Sequence, residues 1–258
     1  MQENVISFDL KGDFACFRKN DTNNIVYTTY NIIHKPAVLG IIGAILGLKG
    51  YSFSDNPEYL NKLKNLKLGI SPKFKEPPKK FILTFNNSSG LASIEKGGVL
   101  QIKEQVMCDL ENKISYTIYL DLDSINQEIK DNLLEKLNKN YSEFPIYFGK
   151  NEFFAFYENV RYYKKCEILS DELNTKIKIE TIIPKNFIQN KLEINIFDTT
   201  QFENLKIIFE ILPVSFDQNL IYCKEEFAWI VEGKVKLLDK QGIVKIEDNS
   251  EKKYIYLF

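Results

Sequence analysis

TTYNIIHKPAVLGIIGAILGL, residues 28–48, is the stretch whose reading decides the fold. Pro36 suits the first turn of a helix, where a missing N–H costs nothing. From Ala37 to Leu48 the apolar residues run all round the helical wheel, so the helix must be covered on most sides. Gly40, Gly43 and Gly47 are poor helix formers. Their use is close packing, against a sheet or against another backbone that approaches the helix. Gly50 is a suitable stop. A helix of this kind needs a platform, and the platform has to come from strands.

Upstream, VISFDLKGDFACF (residues 5–17) carries the two-residue period of a strand, interrupted at Gly12 where a bulge or close approach is permitted. Residues 18–36 read as a polar loop. Downstream, residues 55–69 read as an amphipathic helix, and residues 71–80, with Pro72, Pro77 and Pro78 among lysines, as a loop or arm. Strands are predicted at 80–87, 99–110, 115–122 and 152–160, turns at 86–90 and 96–98, and an amphipathic helix at 125–138. Simplified, the first half reads β-α-(hairpin arm)-β-α-β, the order of an α+β, ferredoxin-like (RRM-like) domain with a protruding hairpin. The remainder reads as strand after strand, at 176–183, 192–197, 205–212, 226–231, 234–238, 242–246 and 254–258. The expected division is therefore residues 1–165 as the ferredoxin-like domain and 166–258 as a small β-rich region packed on it.

The net charge of −1 argues against an independent scavenger of nucleic acid. The charge is unevenly spread, however. Residues 1–105 hold 14 basic against 9 acidic side chains, and residues 106–258 hold 20 against 26. The basic excess concentrates at Lys62, Lys64, Lys67, Lys73, Lys75, Lys79 and Lys80, a run that fits either a solvated face or an RNA-facing arm. Cys16, Cys108, Cys166 and Cys223 are scattered, with no zinc spacing, and read as free thiols of a reducing cytoplasm. No signal peptide is visible, and the longest apolar run is too short to span a bilayer, so no membrane is expected.

Chemistry has few candidates. His34 is the only histidine, and no GxSxG-type elbow accompanies it. A ribonuclease could pair His34 as base with Tyr27, Tyr30 or Lys35; a hydrogen-bonded or stacked loop histidine is the preferred reading, because a lone titratable residue without a resolvable partner is weak evidence for catalysis. The glycines of 40–50 lie inside the helix rather than before it and lack a Gly-Lys-Ser/Thr, so no nucleotide triphosphate site is expected. No metal set and no cofactor motif is found. Lys11, Arg18, Lys19, Tyr27, Tyr30, His34 and Lys35 flank the first strand and the helix start, a mixture of cations and aromatic rings suited to unpaired RNA.

Three segments together resemble the Cas-five family of CRISPR-associated proteins, in the RAMP superfamily. They are FDLKGDFACFR (8–18), TTYNIIHKPAVLGIIGAILGL (28–48) and FPIYFGKNEFFAFYENV (144–160), the last with Phe148 where the family has leucine. The resemblance covers residues 8–160 and looks most like subtype I-B. It implies a non-catalytic subunit of the type I Cascade complex that grips the 5′ handle of the CRISPR RNA. It further implies contacts with the Cas-seven backbone subunit and the large subunit, and with target DNA only through the complex. It puts the family's thumb in the basic region at about 62–105. RNA contacts are then expected from Lys11, Arg18, Tyr30, His34, Lys35 and Gly40, followed by Lys73, Lys75, Lys79 and Lys80. One branch of the family cleaves precursor RNA with a tyrosine, lysine and histidine cluster. Here only His34 is available, outside any matching cluster. The competing readings are therefore a metal-independent endoribonuclease and a protein-only scaffold.

Overall fold

A computed structural model describes residues 4–20, 26–51, 57–87, 100–109, 111, 113–166, 176–188, 205–248 and 251–258. The protein is α+β and mostly β. Its main sheet uses β1 (Val5–Gly12), β3 (Leu68–Pro72), β6 (Ile114–Asp121), β7 (Ala155–Cys166), β11 (Ile243–Asp248) and β12 (Glu251–Tyr256), in the order β12-β11-β7-β1-β6-β3. Every neighbouring pair is antiparallel. Helix α1 (Lys35–Leu46) lies in the connection from β1 to β3, together with the short α2 (Glu58–Leu63), and α3 (Gln127–Asn138) lies in the connection from β6 to β7. Strand alternation sends Ile6, Phe8 and Leu10 of β1 to one face. There they join Val38, Ile42 and Ile45 of α1 and Leu133 and Leu137 of α3 in one buried core.

The sheet curls until its two edges meet. Leu68 N–H donates to the Phe258 carbonyl at 3.1 Å and Phe258 N–H returns a bond to Leu68 at 3.0 Å. Beside them Ile182 N–H donates to Ile70 at 2.8 Å, and Glu180 N–H to Tyr254 at 2.9 Å. The approach is close enough that a Cβ on Gly69 would sit 2.7 Å from the Tyr256 carbonyl. Inside the curl Val5, Tyr119, Tyr163, Ile246, Ile255 and Leu257 form their own buried cluster.

Two smaller sheets flank this body. β8 (Ile183–Pro184), β10 (Tyr222–Glu232) and β9 (Lys206–Phe216) form one, and β2 (Phe14–Ala15), β5 (Leu100–Cys108) and β4 (Lys79–Asn87) the other. The C-terminal strands share the main core: Phe227 and Trp229 belong to it, with the Trp229 ring 5.1 Å from Phe74.

Several elements differ from their sequence reading. α1 ends at Leu46, because Gly47, in the left-handed region at φ 80°, receives the cap rather than Gly50. The helix expected over 55–69 shrinks to Glu58–Leu63, and the apolar residues after it are drawn into β3 as an edge of the main sheet. Of the described residues in the region 62–105, those of β4 (Lys79–Asn87) and of β5 from Leu100 build the hairpin, and Leu68–Pro72 joins the main sheet instead. The strands expected at 176–183 and 234–238 reduce to isolated bridges such as Ile177↔Val235, plus β8. The strand expected at 192–197, the turn at 96–98 and the tip of the turn at 86–90 lie outside the described residues. Among the described residues, no helix is long and apolar enough to cross a membrane.

Candidate nucleic-acid interface

The helix that decided the sequence reading also floors the main cleft. His34 starts it: its Nδ1 accepts the Ala37 N–H at 3.3 Å, and Pro36 occupies the first turn. Ala37, Gly40, Ile41 and Ala44 follow at helical spacing and line a cleft of about 660 Å³. A Cβ on Gly40 would meet only the Tyr59 ring, at 3.9 Å, so packing does not require that glycine. Gly43 is different. Its added Cβ would lie 2.6 Å from the Tyr59 Cβ, so it admits α2 against α1.

Opposite the floor stand two segments from elsewhere in the chain: Cys16, Phe17 and Arg18, and the turn Phe144, Pro145, Ile146, Tyr147 and Gly149. These two are joined by their backbones. Cys16 N–H donates to the Phe148 carbonyl at 3.0 Å. Gly149, at φ 86°, lies so close that a Cβ there would fall 2.0 Å from the Cys16 carbonyl oxygen. Tyr51, Tyr59, Tyr147 and Tyr222 complete the walls with Phe216. Among the described residues that line the cleft, Arg18 is the one permanent cation, and there is no carboxylate.

The arginine is held from behind. Its guanidinium carbon stacks 3.4 Å from the centroid of the Tyr27 ring. Residues 17–19 pair with 28–30: Tyr30 N–H donates to Phe17 at 2.9 Å and Lys19 N–H to Thr28 at 2.8 Å. Tyr27 itself is an extra rung on the β4–β5 hairpin. Its N–H donates to the Lys103 carbonyl at 2.9 Å and its carbonyl accepts from Gln105 at 2.8 Å. The next residues are fixed by Glu210 of β9, whose buried carboxylate accepts the Asn31 N–H at 2.9 Å. Burial, the larger influence, raises that carboxyl above its ordinary range.

His34 is 4% exposed and sits among the rings of Phe17, Tyr30 and Tyr222 at 6.3, 5.5 and 5.4 Å. Burial lowers its pKa to about 3, so at neutral pH it is uncharged. Because Nδ1 accepts from the helix backbone, the ring proton belongs on Nε2.

Of the residues singled out in the sequence, the cleft gathers Arg18, His34 and Gly40, with Tyr30 buried directly against His34. Lys35 points elsewhere. Its ammonium donates to the Phe258 carbonyl at 2.6 Å, and burial, then Lys67, lowers its pKa to about 8. It lines a second cleft of about 570 Å³ with Lys64, and the two clefts share Pro36 and Phe216. Lys11 projects from β1 away from the helices and pairs with Glu158 at 2.7 Å. Lys80 donates to the Thr29 carbonyl at 3.0 Å, while Lys73, Lys75 and Lys79 are exposed. The lysines thus do not converge on the cleft.

No family profile matches the sequence, and no curated protein does. Solved structures do resemble the fold. A chain of a "CRISPR RNA-guided surveillance complex" is 11% identical, with a TM-score of 0.48 over 91% of either chain. A CRISPR protein from Archaeoglobus fulgidus is 10% identical, with a TM-score of 0.41 over 97% of either chain. A chain of a type III-B Cmr-beta complex bound to cognate target RNA is 12% identical, with a TM-score of 0.40 over 98% of this chain and 99% of that one. Likeness at this level decides no function, which must rest on the residues.

Sequence reading missed most of the walls. Tyr147 lay within the quoted segment 144–160 without being singled out. Tyr51, Tyr59 and Tyr222 reach the cleft only through the packing of α2 and β10, which no local pattern announces.

Proposed function

We propose that this chain is a non-cutting, RNA-binding subunit of a type I CRISPR surveillance complex, and that the cleft holds unpaired nucleotides of the guide RNA's 5′ handle. One observation carries the reading. The three segments that resemble the Cas-five family, 8–18, 28–48 and 144–160, lie far apart in the sequence yet all contribute residues to the same cleft. Its makeup suits that ligand. Small residues on α1 leave room for a flat base, tyrosines offer faces for stacking, and Arg18 can meet a phosphate where no carboxylate opposes it. We read the β3-β6-β1-β7 order, with α1 and α3 in its crossovers, as ferredoxin-like. The β4–β5 hairpin corresponds in this reading to the family's thumb. The Cas-seven backbone and the large subunit are the expected protein partners. Binding without cutting fits His34, which is neutral and spends Nδ1 on the helix start.

Gly40→Leu tests the reading, because the helix accepts the substitution and the side chain fills the floor. With repeat-derived single-stranded RNA in fluorescence anisotropy, the variant should bind about tenfold more weakly or worse, with an unchanged or higher Tm. Equal affinity of both proteins overturns the assignment of the cleft. Cleavage of that RNA in EDTA, lost in His34→Ala, replaces it by the ribonuclease reading.

A further inference from the structure

The cleft's cation is not set by the cleft. Arg18 is exposed, and its guanidinium carbon lies over the Tyr27 ring, 3.4 Å from the centroid. Tyr27 is bonded at both its N–H and its carbonyl to β5, at 2.9 and 2.8 Å. The hairpin is tied to the cleft's other wall as well. Glu104 of β5, 4% exposed, is ion-paired with Lys150, the residue after Gly149, and Lys150 also lies 4.8 Å from the Phe85 ring of β4.

We propose that Tyr27 is a positioning residue: it fixes the guanidinium of Arg18 for a phosphate oxygen and makes that orientation depend on the β4–β5 hairpin. The inference rests on the RNA reading of the cleft. An arginine held over a ring face can still offer N–H groups to an anion while losing rotamer freedom before the ligand arrives. A hairpin displaced by a partner would carry Tyr27 with it, and the arginine's support with the tyrosine.

The test is a cycle of Arg18→Gln, Tyr27→Leu and the double variant in the full chain, with Tyr27→Phe as the conservative control, using repeat-derived single-stranded RNA at several salt concentrations. Tyr27→Leu should weaken binding by about three- to tenfold, consistent with the usual worth of a cation–π contact. It should also flatten the salt dependence towards that of Arg18→Gln, by about one phosphate contact. The double variant should bind no more weakly than Arg18→Gln alone, and Tyr27→Phe should bind as the unaltered chain does. Additive losses, or a Tyr27→Leu variant with the full salt slope, overturn the proposal.

A second readout separates this proposal from the RNA reading. In NMR spectra of the free protein, the Arg18 side-chain resonances should be ring-current shifted, retained in Tyr27→Phe and lost in Tyr27→Leu. Failure of the unaltered chain to bind RNA overturns the RNA reading while the ring-current shift still decides the positioning. Unshifted Arg18 resonances in the unaltered chain overturn the positioning whatever binds.

Discussion

His34 joins the helix start to the cleft, and its two roles separate by substitution. Its pKa falls from 6.5 to about 3 on burial, so the folded state refuses a proton that the unfolded chain takes up below 6.5. Its contribution to stability is therefore intact above pH 6.5 and is lost as pH falls toward 3, at about 1.4 kcal/mol per pH unit. Asparagine is a preferred N-cap and does not titrate. His34→Asn should keep the neutral-pH Tm nearly unchanged and unfold with a shallower acid limb, by about one proton, between pH 6 and 4 in thermal or urea titrations. An acid limb as steep as that of the unaltered protein counts against the buried neutral imidazole.

At the scale of elements, the glycines of α1 are not equivalent. A Cβ on Gly40 would reach only ordinary contact with the Tyr59 ring, at 3.9 Å, whereas Gly43 is the point at which the Tyr59 Cβ packs. Gly40→Ala should stabilise the protein by about 1 kcal/mol, the ordinary helical gain. Gly43→Ala should destabilise it by about 1–3 kcal/mol, because the clash is with a Cβ and not with a flexible tip. Equal Tm changes for the two would mean that α2 yields. The sequence revealed α1 and β1 clearly, since Pro36, the apolar run and the period-two pattern of β1 are local signals. It could not reveal β3. Leu68, Gly69 and Ile70 continue an apolar pattern from α2, and only their pairing with β6 and Phe258 makes them strand. The partners of individual lysines were illegible for a related reason. Charge was legible, but Lys35 and Lys80 spend their ammonium groups on backbone carbonyls that only the folded chain brings near.

For the whole molecule, the contrast is between the main sheet, whose core the β9–β10 strands share, and the outer strand of the β4–β5 hairpin. In the body, Phe258 and Ile182 bond to β3 at Leu68 and Ile70, and residues 179–180 bond to β12 at Tyr254, so both edges of the main sheet are partly covered. β4 lacks such cover among the described strands: it pairs with β5 alone, and Phe81, Ile82 and Leu83 are 40, 50 and 40% exposed. An outer strand with such exposed apolar side chains is a template for accretion by further copies of the chain. Purified by itself and concentrated, the protein should cloud and form thioflavin-positive material, and Ile82→Lys, a gatekeeper charge on an exposed position, should delay the onset without changing the Tm. Equal turbidity curves for the two would move the weakness elsewhere. In storage and handling, the nine residues of β4 are then the place to engineer for shelf life, ahead of the barrel-like body behind them.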